Sequence, residues 1–294
     1  MMNESTKVRA TWEALGLPGI VDVHTHFMPK PVLDKVWKYF DEAGALVGRV
    51  WPIAYRSDEA NRLETLRGFG VRAFTSLVYP HKPQMAAWLN QWAAQFASTT
   101  PDCLSTATFY PESGADAYVR AAIDGGARVF KAHVQVGGYD PSDPLLDGVW
   151  GMIEEARVPV VIHCGSGPQP GRHTGPEPIE AVLARHPRLR LVIAHMGMPE
   201  YRDFLDLCDR FDGVRLDTTM AFTPFIEETM PFPKSERHRL AELGDRILFG
   251  SDFPNIPYSY LEAMQVLTRL EGIDDDWLRG VFHDNAASLF GLAL

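Results

Sequence analysis

The sequence predicts a single (β/α)8 TIM barrel. Eight short apolar segments, rich in β-branched residues, alternate with segments of helical periodicity from residue 19 onward. This alternation is typical of α/β folds with a parallel sheet. An open doubly wound sheet is the alternative, but no Gly-x-Gly-x-x-Gly motif opens the first strand–helix turn. The chain also has no linker, low-complexity stretch or fixed-period repeat, so we expect one domain over residues 1–294.

A long aromatic connection follows the first expected strand. A helical lead-in over residues 1–18 ends near Gly16 and Pro18, and an apolar run then predicts a strand at 19–24. The connection, residues 27–58, contains Phe27, Met28, Trp37, Tyr39, Phe40, Trp51 and Tyr55. Long connections are usually functional or disordered, and the aromatic content argues against disorder. We expect this insertion to be a lid or wall of a pocket; the alternative is a surface subdomain that packs on its own aromatic residues.

Strands and helices alternate regularly after residue 58. Buried parallel strands are near-continuous apolar runs, and such runs predict strands at 71–79, 104–110, 128–135, 158–164, 189–197, 214–219 and 246–254. Apolar residues at helical spacing and glycine stop signals predict the intervening helices at 58–68, 83–98, 114–125, 145–157, 177–186, 200–210 and 235–243. Three further helices close the chain, at about 258–270, 274–281 and 285–292.

Charge and composition argue against several classes of function. The chain carries 28 Lys and Arg against 38 Asp and Glu, a net charge of −10, and it has no basic run. These features argue against a nucleic-acid or anionic-membrane partner, and against a nuclease. Three widely spaced cysteines argue against a disulfide framework and fit a reducing, cytoplasmic location. The N-terminal stretch lacks the pattern of a secretory signal, and no apolar run is long enough to span a bilayer.

The first strand ends in a pair of histidines, His24 and His26. In a strand, residues two apart point to the same face, so the two imidazoles are expected side by side. Neutral imidazole is the commonest protein ligand for a borderline divalent metal. A His-x-His pair alone is equally compatible with two surface or core histidines. The residues that end the later strands therefore decide between these interpretations.

Further ionisable residues end other expected strands in the same way. The fourth strand carries Lys131 and His133, the fifth His163, the sixth His195 and the eighth Asp252. In a barrel the active site lies where the carboxyl ends of the strands converge, so we expect these side chains to meet. A single histidine is more simply a core residue, but burying so many ionisable groups together is costly. A metal ion explains the set, and three imidazoles with one carboxylate suit Zn²⁺ with an open position for water.

These segments resemble the amidohydrolase superfamily. The matching motifs are VDVHTH, FKAH, VVIHCG, LVIAHMG, ILFGSDFP and HDNAASLFGL, which together run from residue 20 to residue 292. The chain is most similar to the branch that contains both hydrolases and enzymes like aminocarboxymuconate-semialdehyde decarboxylase. The resemblance implies a metal-dependent enzyme on a barrel of the metal-dependent hydrolase type.

The resemblance also implies roles for the strand-end residues. By analogy with the family, His24, His26 and His163 are metal ligands. Asp252 is expected to bind the metal or its water and to act as the general base. His195 is expected to polarise the substrate or to orient the attacking water.

The number of metals depends on the fourth strand. In binuclear members of the superfamily, a lysine at this position is carboxylated and bridges two ions. Lys131 occupies a comparable strand, but the pair Lys131-x-His133 resembles the mononuclear branch, in which these residues face the pocket and contact substrate. We therefore favour one divalent metal, Zn²⁺, over two.

The expected reaction is hydrolysis of a small amide, lactone or ester. Zn²⁺ lowers the pKa of a bound water from about 15.7 to about 7, so hydroxide is available at neutral pH. Asp252 takes the proton during attack on the carbonyl carbon and passes it to the leaving group. The same residues could run a decarboxylation of a small unsaturated or aromatic acid, and the sequence does not separate the two reactions. A catalytically inactive binding protein is disfavoured, because we expect such a protein to have lost at least one site residue.

One further residue is a substrate-binding candidate. Arg172 lies in the Gly- and Pro-rich loop after the fifth strand, where a guanidinium could clamp a substrate carboxylate. A solvated loop arginine is the alternative interpretation. The expected partner is a small-molecule substrate, and a homodimer is compatible with the resemblance because barrels of this family often pair.

Overall fold

The computed structural model describes residues 3–293, which form two compact units. One unit combines residues 3–74 with residues 218–293, and the other unit spans Thr75–Asp217. Each unit contains short strands and helices that alternate along the chain, as the sequence predicts.

The N-terminal part of the first unit contains the predicted lead-in helix, the first strand and the long connection. Its elements are α1 (Glu4–Glu13), β1 (Ile20–Asp22), α2 (Lys30–Asp41), α3 (Ala43–Leu46), α4 (Glu59–Phe69) and β2 (Val71–Thr75). Strand β1 pairs with β2 in parallel, with Asp22 opposite Phe74. The connection over 27–58 is thus ordered and partly helical, which agrees with its aromatic content.

The second unit is a parallel sheet with helical connections. Its elements are α5 (Ala86–Thr99), β3 (Cys103–Leu104), β4 (Thr106–Thr108), α6 (Ala115–Asp124), β5 (Val129–His133), α7 (Val134–Gly137), α8 (Asp147–Ala156), β6 (Val160–His163), α9 (Pro176–Arg185), β7 (Leu191–Ile193), α10 (Tyr201–Arg210) and β8 (Val214–Asp217). Strands β4 to β8 pair in sequence order and in parallel. The register places His133 opposite His163 at the carboxyl ends of β5 and β6.

The C-terminal part of the first unit is mostly helical. Its elements are α11 (Pro224–Glu227), α12 (His238–Glu242), β9 (Ile247–Leu248), α13 (Tyr260–Leu267), α14 (Asp275–Arg279) and α15 (Asn285–Phe290). A π-helical turn at Gly280–Asp284 connects the last two helices. The helix α13 begins at a serine cap, because the Ser259 hydroxyl accepts the Glu262 backbone N–H.

The strands are shorter than the sequence suggests, and this corrects the expected position of several site residues. His24 and His26 follow β1, which ends at Asp22, and Asp252 follows β9, which ends at Leu248. His195 lies in a 3₁₀ turn after β7 rather than within a strand. These residues occupy segments that continue a strand without regular ladder pairing, so apolar runs alone overestimate the strand length.

Two further observations concern the cysteines and the helices of the described residues. Cys103, Cys164 and Cys208 are all buried and none forms a disulfide. None of the helices within residues 3–293 combines the length and the apolar character needed to cross a membrane.

Candidate active site

Three predicted metal ligands converge in the first unit. The Nε2 atom of His26 lies 2.9 Å from Oδ1 of Asp252, and Nε2 of His24 lies 3.6 Å from the same oxygen. The two imidazole rings lie edge to face, with their centroids 5.2 Å apart. One donor atom from each of the three residues lies within 4.8 Å of the others, and all three residues are buried.

Backbone hydrogen bonds bring the three side chains together. The Asp252 N–H donates to the His24 carbonyl at 2.8 Å, and the His26 N–H donates to the Phe253 carbonyl at 2.7 Å. Thr25 and Phe253 form a parallel bridge between these bonds. The segment after β1 therefore runs alongside the segment after β9, and this alignment places the histidines beside the carboxylate.

Asp252 adopts a left-handed backbone conformation, with φ of 68°. Few residues other than glycine adopt this conformation, although aspartate tolerates it better than most. Positive φ values in non-glycine residues often occur at functional sites, where the surrounding structure holds them. Here the Asp252 N–H bond to His24 and the Asn255 N–H bond to the Asp252 carbonyl hold the turn.

A buried carboxylate, Asp22, lies directly behind this site. Its Oδ1 accepts the N–H groups of His24 and Ser251, each at 3.1 Å, and its Oδ2 accepts the Tyr260 hydroxyl at 2.9 Å. Burial raises the pKa of Asp22 to about 7, and the hydrogen bonds from Ser251, His24 and Tyr260 oppose that rise. Asp22 is not among the site residues predicted from the sequence.

The predicted lid segment packs on the loop that follows Asp252. The Trp37 indole donates to Oδ1 of Asn255 at 3.0 Å, and the Trp51 indole donates to the Asn255 carbonyl at 2.7 Å. The Ala54 N–H donates to the Ile256 carbonyl at 2.8 Å. These bonds tie residues 27–58 to the Asp252 loop, and whether the segment covers a pocket stays a prediction.

A buried phenol lies in the same loop. Tyr258 is 8% exposed, and burial, together with the negative charge of Asp252, keeps its pKa well above the usual value. The hydroxyl therefore remains protonated at neutral pH and keeps a proton to donate. Its ring lies near Phe225, at a centroid distance of 6.4 Å.

In the second unit, three predicted site histidines form a row. The rings of His133 and His163 stack with a centroid separation of 4.1 Å and an interplanar angle of 11°. His195 meets His163 edge to face at 4.8 Å, and Tyr79 lies 4.8 Å from the other end of the row, at His133. The parallel register of β5 and β6 causes the stacking, because it places the two strand-end histidines opposite each other.

Local hydrogen bonds hold these histidines. A ring nitrogen of His163, Nε2, lies 3.0 Å from the Gly167 carbonyl, and Nε2 is the donor in this contact because a carbonyl only accepts. The His195 N–H donates to Oδ1 of Asp217 at 2.9 Å. His195 has a φ of 56° and Met196 a φ of 52°, so the chain makes a tight left-handed turn after β7.

The remaining predicted residues lie in contrasting environments. Lys131 is fully buried in β5 and shares strand parity with His133. Arg172 is exposed in the loop that precedes α9. The predicted fourth metal ligand, His163, belongs to the second unit, so the described geometry brings together His24, His26 and Asp252, and the role of His163 stays a prediction.

The donor set of the first unit fits a divalent metal ion. Two imidazole nitrogens and one carboxylate oxygen are typical ligands of Zn²⁺ and related ions. Their mutual distances allow all three to reach one ion. Three protein ligands do not fill the coordination sphere of such an ion, so a further group can join them.

Comparison with solved structures shows the fold. The chain is similar to an uncharacterised TIM-barrel protein from Bordetella bronchiseptica, with 20% identity and a TM-score of 0.73 over 94% of this chain and 99% of that chain. It is also similar to a 2,6-dihydroxybenzoate decarboxylase bound to 2,6-dihydroxybenzoate, with 18% identity and a TM-score of 0.67 over 94% and 100% of the two chains. A protein from Pseudomonas putida assigned as a 2-pyrone-4,6-dicarboxylic acid hydrolase gives 17% identity and a TM-score of 0.61 over 95% and 99%. The fold is therefore a (β/α)8 barrel, as predicted.

Histidines and an aspartate at the carboxyl ends of barrel strands lie where barrel enzymes have their active sites, and these residues are suited to binding a catalytic metal. The amidohydrolase family model matches residues 21–292, and the chain belongs to this family. Members typically bind metal, and the superfamily includes hydrolases and decarboxylases, so the chain is an enzyme. No curated protein matches the chain at a significant level.

Two polar residues at the sites were not predicted from the sequence, although the sequence contains a signal for each. Asp22 lies two residues before His24 and shares its strand parity, so alternation places it in line with the two histidines. Asp217 ends β8 in the way that the other site residues end their strands. Tyr258 and Asn255 gave no such signal, because their roles depend on contacts with residues distant in sequence.

Proposed function

We propose that the protein is a metal-dependent hydrolase of a small amide, lactone or ester, with Asp252 as the general base. The observation that supports this proposal best is the convergence of His24, His26 and Asp252, whose donor atoms lie within 4.8 Å of one another. Family membership supports the same interpretation, since the amidohydrolase model covers nearly the whole chain.

The metal in this proposal is one Zn²⁺ ion. His24, His26 and Asp252 hold it, and His163 is the fourth proposed ligand. When bound, the ion supplies Lewis acidity and makes a water molecule acidic enough to act as a nucleophile near neutral pH. A second ion, bridged by a carboxylated Lys131, is the less favoured arrangement.

Asp252 moves the proton in the proposed reaction. Its carboxylate accepts a proton from the attacking water, whose oxygen bonds to the carbonyl carbon of the substrate. The protonated carboxyl then gives this proton to the departing nitrogen or oxygen, and the bond to the leaving group breaks. His195 stabilises the negative charge that develops on the carbonyl oxygen, since a fixed donor in a buried site is effective there.

Lys131, His133 and Arg172 are the proposed substrate contacts. Lys131 is fully buried in β5, and a lysine ammonium with its three N–H donors is suited to an anionic group of the substrate. The exposed Arg172 can reach a carboxylate only if its loop lies at the pocket entrance. The 27–58 segment is the proposed lid, supported by its bonds to the loop that follows Asp252.

A metal-dependent decarboxylase is the second candidate. Its support is the similarity to 2,6-dihydroxybenzoate decarboxylase, whose TM-score of 0.67 exceeds the 0.61 of the assigned hydrolase. In this reaction the carbon–carbon bond to a carboxylate breaks, CO₂ leaves, and Asp252 supplies the proton that takes its place on the carbon. The same residues serve both reactions, so products rather than residues distinguish them.

The decisive experiment combines metal analysis with product analysis. Protein purified without chelator or added metal is analysed for metal per chain, then stripped and reloaded with Zn²⁺. Each form is assayed against a panel of amides, lactones and esters and a panel of unsaturated and aromatic acids, with CO₂ measured directly. Activity on the first panel that follows the metal supports the hydrolase. CO₂ release from the second panel replaces it with the decarboxylase, and activity in the metal-free form overturns both.

A further inference from the structure

Asp22 connects the two backbone segments that carry the metal ligands. Its Oδ1 atom accepts the N–H of His24, which follows β1, and the N–H of Ser251, which precedes Asp252. Both bonds are 3.1 Å long, and the Asp22 side chain is fully buried. One carboxylate oxygen thus joins segments that are more than 200 residues apart in sequence.

We infer that Asp22 is a positioning residue for the proposed metal centre. It holds the His24 and Ser251 backbones at a fixed separation, so that the histidine nitrogens and the Asp252 carboxylate meet at one point. This inference rests on the proposed function, because it assumes that the three residues bind a metal ion. Nothing in it requires Asp22 to contact the ion or the substrate.

The other side of the carboxylate is fixed as well. The hydroxyl of Tyr260, which is fully buried, donates to Oδ2 at 2.9 Å. The Tyr260 N–H donates to the Tyr55 hydroxyl, and that hydroxyl donates to Oε1 of Glu4, each at 2.6 Å. The carboxylate is therefore held on both oxygens, and it cannot rotate away from the two backbone N–H groups without breaking a bond.

The location of these bonds argues for positioning rather than for general stability. A buried carboxylate is expensive, and an apolar side chain would fill the same space at a lower desolvation cost. At Oδ1, one bond comes from the N–H of His24, a proposed metal ligand. The other comes from the N–H of Ser251, the residue before the proposed ligand Asp252. Partners that orient metal ligands typically change metal affinity by about 10- to 100-fold when they are removed.

The test measures Co²⁺ binding to the metal-free protein by visible absorption, so it does not depend on activity. Asp22→Leu removes both acceptors while keeping a similar volume. Asp22→Asn keeps an acceptor oxygen for the two N–H groups, and its amide can donate to the Tyr260 hydroxyl. Val23→Ala is the matched control, since it leaves a cavity at a fully buried neighbouring position and spares the side chain of Asp22.

We expect Asp22→Leu to weaken Co²⁺ binding at least tenfold. Asp22→Asn should restore affinity to within about fivefold of the wild type, the equivalent of one hydrogen bond. Val23→Ala should lower the midpoint of urea unfolding and leave the affinity unchanged. Hydrogen exchange should find the His24 and Ser251 amides protected in the wild type and in Val23→Ala, and faster in Asp22→Leu.

Several outcomes would overturn the inference. These are Co²⁺ binding by Asp22→Leu within threefold of the wild type, equal losses in Asp22→Leu and Val23→Ala, or rapid exchange of the two amides in the wild type. If Asp22→Leu does not fold, Tyr260→Phe decides, because an unpaired Oδ2 should weaken binding about fivefold and an unchanged affinity contradicts positioning. A wild-type protein that binds no Co²⁺ overturns the metal centre and the inference together. Co²⁺ binding without hydrolysis overturns only the proposed reaction.

Discussion

The Nε2 atom of His26 lies 2.9 Å from Oδ1 of Asp252. These residues are 226 positions apart, and they meet because the segments that carry them run in parallel and exchange backbone hydrogen bonds. An imidazole and a carboxylate at this distance form either a hydrogen bond or two neighbouring ligands of one ion.

Removal of a histidine ligand should abolish stoichiometric metal binding. His26→Ala deletes one of the three convergent donors, so we expect the purified variant to contain less than about a tenth of the wild-type metal, in line with the strong dependence of affinity on the ligand set. His238→Ala, at an exposed histidine in α12, is the control and should keep full occupancy. Elemental analysis checks both, and equal metal content in the two variants would remove His26 from the metal site.

Loss of the Asp252 carboxylate should stop turnover without unfolding the protein. Asp252→Asn keeps the shape of the side chain but cannot take up a proton, and general base catalysis contributes about 10²- to 10⁴-fold to a rate. We expect kcat to fall by a factor in that range while circular dichroism and the thermal midpoint stay near wild type. Asp245→Asn, at an exposed aspartate, is the control. A kcat close to normal in Asp252→Asn would contradict its role as the base.

The indole of Trp37 should stabilise residues 27–58, the proposed lid. Trp37→Phe removes the N–H that donates to Asn255 and leaves a buried amide oxygen, on a residue that is 2% exposed, without this donor. We expect the free energy of unfolding to fall by about 1–3 kcal/mol. Limited proteolysis within residues 42–57 should also become faster. Trp88→Phe, at an exposed tryptophan, should change neither the free energy of unfolding nor the rate of proteolysis. Equal behaviour of the two variants would argue against a stabilising role for the Trp37–Asn255 hydrogen bond.

Gly197, two residues after His195, should resist substitution. Its φ is 74°, and an added Cβ would lie 2.0 Å from the Phe204 ring. Gly126 has a similar φ of 85° but open space around the position of a Cβ. Both alanine variants carry the cost of about 1–2 kcal/mol that an L-residue has in the left-handed conformation. Only Gly197→Ala adds a steric clash, so the midpoint of its urea unfolding should lie well below that of Gly126→Ala. Equal midpoints would contradict the close packing of Gly197 against Phe204.

The cysteines should be unreactive in the folded protein. Burial raises the pKa of Cys103 to about 12, and burial also raises the pKa of Cys164. Because pH 8 is about four units below the pKa of Cys103, roughly one molecule in 10⁴ carries the reactive thiolate at this position. We expect no thiol titration by an aromatic disulfide reagent in native buffer and three thiols per chain in denaturant. Rapid reaction of one thiol in the native protein would contradict its burial.

Much of the fold could be predicted from the sequence because barrel strands are buried on both faces. Runs such as VPVVIHC and LRLVIAHMG are typical of parallel strands that are buried on both faces, and apolar residues at helical spacing lie between them. The ends of the strands were less predictable. Apolar residues continue past the last ladder hydrogen bond, and His195 enters a left-handed turn that no periodicity indicates.

The sequence by itself determined the chemistry of the candidate site. The motifs shared with the amidohydrolase family identify an enzyme of a family that typically binds metal. The parity of His24 and His26 and the repeated appearance of ionisable residues at strand ends predict where its metal ligands lie. Only the tertiary structure decided which donors converge within 4.8 Å and which groups hold them. Asp22 and Asn255 illustrate the difference, because their partners, Ser251 and Trp37, lie more than 200 residues away. Hydrogen bonds over that separation depend on how the chain packs, and local sequence patterns do not encode that packing directly.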